Sequence, residues 1–171
     1  MIVPTFADLQ GFVVGRRFVV KEVAVLRKGT ILSYYIFASP ILWHLLTKSD
    51  KSCASWLIAN HHDLRWEDEM IPYSMAEHLI TTAVIDIEDE ALIHVKGCQK
   101  KEWLTNMLDS DARDDVIIET LDIDYKDLES LNNLDVNNTF GCVKHSKHCA
   151  LQNVFKIFNW WLQRQKEKFF K

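Results

Sequence analysis

The sequence predicts an α/β fold, a mixed sheet whose first three strands run antiparallel and whose later strands are separated by helices. Two observations carry this. Residues 3–38 hold three runs rich in β-branched and aromatic side chains, divided by short turns that contain glycine. Beyond residue 49 the apolar spacing lengthens to three and four, and short apolar runs recur only between such segments.

The elements follow in order. Residues 3–11 read as a strand with Asp8 near its end, and Gly11 and Gly15 bracket a turn. Residues 17–27 form a second strand that ends at the hairpin signal Lys28-Gly29, and residues 30–38 a third, stopped by Ser39-Pro40. Connections this short join antiparallel neighbours. Ser49 or Asp50 is placed to cap a helix with Cys53, Trp56 and Leu57 on its apolar face, which makes Cys53 a core thiol. His61, His62 and Asp63 close it; adjacent residues at a helix end point different ways, so they are read as surface. Pro72 opens a second helix whose face is Met75, Leu79, Ile80 and Ala83. An acidic loop, residues 86–90, precedes a strand at 91–95. Lys96-Gly97 then leads into a helix with Trp103, Leu104, Met107 and Leu108 on its face. Residues 116–118 are a further strand, 124–131 a short helix and 132–140 a polar loop. The last helix opens after Gly141 and presents Leu151, Val154, Phe155, Phe158, Trp161 and Leu162 to the core.

With 171 residues, 48% hydrophobic and 26% charged, the chain reads as one domain, residues 1–171, able to bury its own core. A formal net charge of −4 opposes a large non-specific nucleic-acid footprint, though not a local basic groove. No apolar run approaches the roughly 20 residues of a membrane span, and the first residues lack the pattern of a signal peptide. The expected location is therefore intracellular, cytoplasmic or nuclear, with no membrane partner and with Cys53, Cys98, Cys142 and Cys149 reduced.

Several short motifs then point to a family. Asp8-Leu9-Gln10 lies on the first strand, Val20-Lys21-Glu22-Val23-Ala24-Val25 on the second, and His148-Cys149-Ala150-Leu151-Gln152-Asn153 opens the last helix. With the order of elements, these resemble the ribonuclease-H-like fold, and most closely its DEDDh 3′–5′ exonuclease branch. The resemblance implies five site positions. The first strand of that branch carries Asp-x-Glu, matched by Asp8 and Gln10. A further acid follows the fourth strand, where Lys100 or Lys101 stands, and the last helix opens His-x-Ala-x-x-Asp, matched by His148 and Asn153. The chain resembles more closely still a group of insect proteins that share Asp-x-Gln-Gly-Phe, Phe-x-Val-Lys-Glu and Cys-Ala-Leu-x-Asn-Val, a likeness that brings no activity with it.

In the exonuclease reaction two divalent ions clamp the attacking and leaving oxygens, so several carboxylates must converge. Mg²⁺ favours hard oxygen ligands and an ammonium repels it. Here Asp8, Gln10, Lys101 (or Lys100), His148 and Asn153 are remnants of a site, and neither Mg²⁺ nor catalysis is expected. Glu22 and Asp122 are the nearest replacement acids, but Glu22 falls at a position that is structural in the family.

Cys142, His145, His148 and Cys149 offer soft and borderline ligands across a loop-to-helix step, a possible structural zinc set. Asp122, Asp124 and Cys98 are more distant fourth ligands. The arrangement is similar in logic to the Maelstrom domain, a ribonuclease-H-like module with a zinc site in place of lost catalytic acids. The other reading is a polar helix start with one buried cysteine.

Three functions follow. The first is an inactive exonuclease-like module that binds RNA, single-stranded nucleic acid or a protein, with Lys96, Lys100, Lys101, Lys144 and Lys147 placed to meet phosphates. The second is a nuclease with an altered metal site. The third is an interaction protein that docks a partner through its aromatic C-terminal helix, where Trp160 and Trp161 point to different faces.

Overall fold

The three leading strands are β1 (Thr5–Val14), β2 (Arg17–Arg27) and β3 (Ile31–Ile36), paired antiparallel as the alternation predicts. The structure is a computed structural model that describes residues 2–62, 64–67, 71–85, 91–121 and 149–171. After β3 come α1 (Lys48–Leu57), which runs into a π-helical turn (Ile58–His62), and α2 (Ala76–Val84). Then follow β4 (Ala91–Lys96), α3 (Gly97–Met107), a single turn α4 (Ser110–Arg113), β5 (Val116–Leu121) and α5 (Ala150–Phe169). The sheet has five strands in the order β3-β2-β1-β4-β5, with β4 parallel to both β1 and β5. That order and those directions are consistent with a ribonuclease-H-like arrangement. The expected helix at 124–131, the loop at 132–140 and the acidic loop at 86–90 lie outside the described residues.

Helices cover both faces of the sheet. On one, Ala7 and Leu9 of β1, Val20, Val23 and Val25 of β2 and Ile93 and Val95 of β4 pack against Ile80 and Val84 of α2 and Leu104 of α3. On the other, Phe6, Ala24 and Leu26 meet Ala150, Val154, Ile157 and Trp161 of α5. Burial of such side chains contributes roughly 1.5–3 kcal/mol each, which makes these two layers the main support of the fold. A smaller cluster of Phe12, Leu46, Ala54 and Trp66 seats α1.

Two helix faces, on α1 and α2, depart from expectation. Thr47, not Ser49 or Asp50, caps α1, its hydroxyl accepting the Asp50 N–H at 3.1 Å. The helix rests on Ala54, whose small side chain allows close approach to Phe12 and Trp66. Cys53 is consequently exposed rather than core, and Trp56 is 61% exposed. In α2, Ala76 and Val84 are buried beside Ile80 and Ala83, while Met75 is exposed, because a 3-10 turn (Tyr73–Met75) comes before the α-helix and rotates Met75 outward. On α5, Trp161 is buried, and Trp160 is half-buried beneath the Arg164 guanidinium, 5.1 Å from the ring centre. The exposed aromatics of this helix are Phe169 and Phe170, at 78% and 90%.

Candidate functional site

Two backbone features build the site. β1 and β4 pair in register only at Thr5–Ile93 and Phe6–His94, so Asp8, two residues on, lies level with the end of β4. Ligands of open α/β sheets bind outside the carboxyl ends of parallel strands, which is where Asp8 sits. At the end of β4, Gly97 takes a left-handed φ of 80°, open to glycine at no steric cost, and turns the chain straight into α3. The first turn of α3 then reaches back over β1.

A β-bulge follows Gln10. The register of β1 on β2 runs Gln10 opposite Glu22 and then Gly11 opposite Val20, so Lys21 is the additional residue of β2. Gly11 is required here, since a Cβ would lie 2.1 Å from the Val19 carbonyl oxygen. Lys21 is fully buried, and its ammonium donates to the Trp66 carbonyl at 2.8 Å.

Asp8 is 0% exposed. Its Oδ1 accepts from the Lys100 ammonium as an ion pair, and its Oδ2 accepts from the Asn153 side-chain amide at 2.8 Å. Gln10 is buried further along the same strand. Glu22, also buried, accepts the Ala150 N–H of α5 at 2.7 Å on Oε1 and the Tyr34 hydroxyl of β3 at 2.6 Å on Oε2. Glu22 thereby satisfies one of the unpaired N–H groups at the start of α5 and ties that helix to β2 and β3, a structural task. Asp8 and Glu22 supply two buried negative charges; Lys21 and Lys100 supply two positive ones.

Of the two lysines considered for the lost acid, Lys100 stands at the site. Lys101 is exposed, and its ammonium is not a donor to Asp8. Lys100, Asn153 and Asp8 thus meet at one point, with Gln10 buried further along β1, and Lys101 does not join them. His148 lies outside the described residues, as do Cys142, His145, Lys144 and Lys147. Of Cys142, His145, His148 and Cys149 only Cys149 is described, a buried free thiol immediately before α5, and the more distant candidate Cys98 is exposed on α3. Among the described residues no group of three or more His, Cys, Asp or Glu side chains has metal-site geometry.

The described residues around Asp8 do not fit a divalent cation. Both carboxylate oxygens meet hydrogen-bond donors, one of them an ammonium that would repel Mg²⁺. Breaking a buried ion pair by deleting one partner costs about 3–5 kcal/mol, because a charge is left without compensation. Lys100, with its side chain 15% exposed, thus holds Asp8 in the manner of a tethered counter-ion.

Two buried groups were given no role in the sequence reading. Lys21 is carried inward by the bulge; the only hint is a charged Lys-Glu pair inside an otherwise apolar strand. His94 of β4 stacks on Phe6 with ring centres 5.8 Å apart. Its Nδ1 is buried with no hydrogen bond among the described residues, 4.0 Å from a Glu119 carboxylate oxygen. Burial pushes the His94 pKa below the usual 6.5, and the Glu119 charge opposes this in part.

Compared with known proteins, the chain matches no family model and no curated protein. Among the described residues no helix is long and apolar enough to cross a membrane.

Proposed function

We propose that this chain is a catalytically silent, exonuclease-like module that works by holding a nucleic-acid strand. The observation that carries this reading is Asp8, whose two oxygens are taken by Lys100 and Asn153. A two-ion hydrolase needs that carboxylate open to cations, together with further acids beside it. In their places stand a buried amide, a second amide and an ammonium, while the strands and helices that would present them are kept. Loss of the reaction with retention of the frame favours a role in binding.

Nucleic acid is the favoured ligand because cationic side chains border this end of the sheet. Lys96 ends β4, and Lys101 projects from the first turn and a half of α3 beside Lys100. Ammonium groups so placed contact backbone phosphates without reading sequence.

The test is fluorescence anisotropy with a labelled single-stranded RNA of about 20 nucleotides, followed by electrophoresis of the same strand after incubation with Mg²⁺ or Mn²⁺. The expected result is salt-sensitive binding, weakened by Lys96→Glu and Lys101→Glu, with the strand left intact. Metal-dependent shortening that Asp8→Ala abolishes would establish a working nuclease with an altered site. Absence of binding at low salt would instead leave an interaction protein, with Phe169 and Phe170 as the first surface to examine.

A further inference from the structure

A second cleft lies on the opposite face of the sheet from Asp8, with a volume of about 590 Å³. Three elements form it. The β1–β2 turn brings Arg16 and Arg17, α2 brings Glu77 and the turn before it Tyr73, and α3 brings Glu102 and Trp103. Trp103 lies flat on Phe18, ring centres 3.9 Å apart and planes within 1°, so that the two make a rigid aromatic slab at the cleft. Such a volume is that of a small-ligand pocket, in the range of roughly 300–1,000 Å³.

The charges here are not consumed by the fold. The side chains of Arg16, Arg17, Glu77 and Glu102 make no hydrogen bond or ion pair among the described residues. The turn also holds Arg16 at φ 69°, a left-handed conformation in which glycine or asparagine is the usual residue. An arginine accepted there is placed against its backbone preference.

A ligand that uses the whole cleft must be flat and apolar on its faces. It must also carry an anionic group, for a pair of guanidinium forks, and hydrogen-bond donors, for a carboxylate. Inorganic phosphate meets only the arginines, and an aromatic cation is repelled by them. Among common planar anions the nucleotides fit. The base edge then discriminates: guanine offers two adjacent N–H donors, which one carboxylate accepts together, whereas adenine and cytosine place a ring acceptor next to the amino group. We propose that this cleft is a binding site for a guanine nucleotide carrying a 5′-phosphate, either free or as the first residue of a strand. The proposal is independent of the reading of Asp8, since the two sites lie on different faces and share no residue.

Calorimetric titration of the full chain tests it, with guanosine monophosphate, adenosine monophosphate and guanosine as probes. Guanosine monophosphate is expected to bind at least about tenfold more tightly than either of the others. Arg16→Asn with Arg17→Gln, chosen because asparagine tolerates the left-handed turn, should lower that affinity about tenfold or more. Glu77→Gln with Glu102→Gln should bring the two monophosphates to nearly equal affinity. All four positions are exposed, so the folded state is not at risk. A short strand beginning with 5′-phosphoguanosine supplies the last arm. Tighter binding than the monophosphate identifies a strand end as the ligand, equal or weaker binding identifies the free nucleotide, and either upholds the site. No binding of guanosine monophosphate up to about millimolar concentration, or an affinity that neither pair of substitutions moves, would overturn it.

Discussion

The two faces of the sheet differ in what their neighbouring helices bury. Against α2 and α3 the strands present mainly aliphatic side chains, among them Ala7, Leu9, Val23, Val25, Ile93 and Val95. Against α5 the apolar layer of Phe6, Ala24 and Leu26 gives way to Asp8, Gln10 and Glu22 as β1 passes the end of β4. The same strands therefore serve two purposes, selected by side-chain alternation. An apolar face is held by area and shape, and it tolerates any close-packed hydrophobic solution. A face with buried charge persists only when every charge has a partner. Asp8 and Glu22 meet that requirement through Lys100, Asn153, Ala150 and Tyr34, donors rather than apolar neighbours.

Substitutions sharpen this contrast. The largest expected effect is on the apolar face, where Leu104→Ala leaves a cavity and should cost about 3 kcal/mol by denaturant unfolding, with no change in how the protein responds to divalent cations. Next comes Lys100→Ala, which strips Asp8 of its counter-ion. It should cost about 2–3 kcal/mol, at or below the range for a fully buried pair because Lys100 retains some exposure. Its neighbour Lys101→Ala should stay within about 0.5 kcal/mol, as an exposed position does. Equal losses at the two lysines would break the assignment of Lys100 to the site.

The smallest effect is a pH dependence on the α5 face. His94 has its pKa lowered by burial, so as pH falls below the usual 6.5 the unfolded chain takes up a proton that the native histidine resists. Stability should be indifferent to His94 at higher pH and should decline as pH drops from 6.5 toward the native value. Comparing unfolding of the wild type and His94→Phe between about pH 7.5 and 5 checks this: the substituted protein should show the shallower decline.

Much of this architecture was legible in the sequence. The β-branched runs and the Lys28-Gly29 hairpin placed the antiparallel strands, since alternation and turn chemistry are local properties. The α5 face was legible because its apolar spacing persists over several turns. The errors arose where tertiary contact decides. Cys53 and Trp56 lie at helical spacing yet outside the core, because α1 docks through the small Ala54. The bulge that buries Lys21 depends on pairing across strands, and the charged Lys21-Glu22 pair is its one local hint. The choice between Lys100 and Lys101 turned on the phase with which Gly97 starts α3, about 100° of rotation per residue, which spacing alone does not fix. His94 looked like any residue of a buried strand.

The central claim is that Lys100 takes the place of a cation at Asp8, and thermal unfolding with and without Mn²⁺ tests it most directly. The wild type should unfold at the same temperature in both conditions. A protein carrying Lys100→Asp with Asn153→Asp, which sets three carboxylates at one point, should be stabilised by the ion through binding to the native state alone. A wild-type protein whose unfolding temperature rises with Mn²⁺, and loses that rise on Asp8→Asn, would contradict the account.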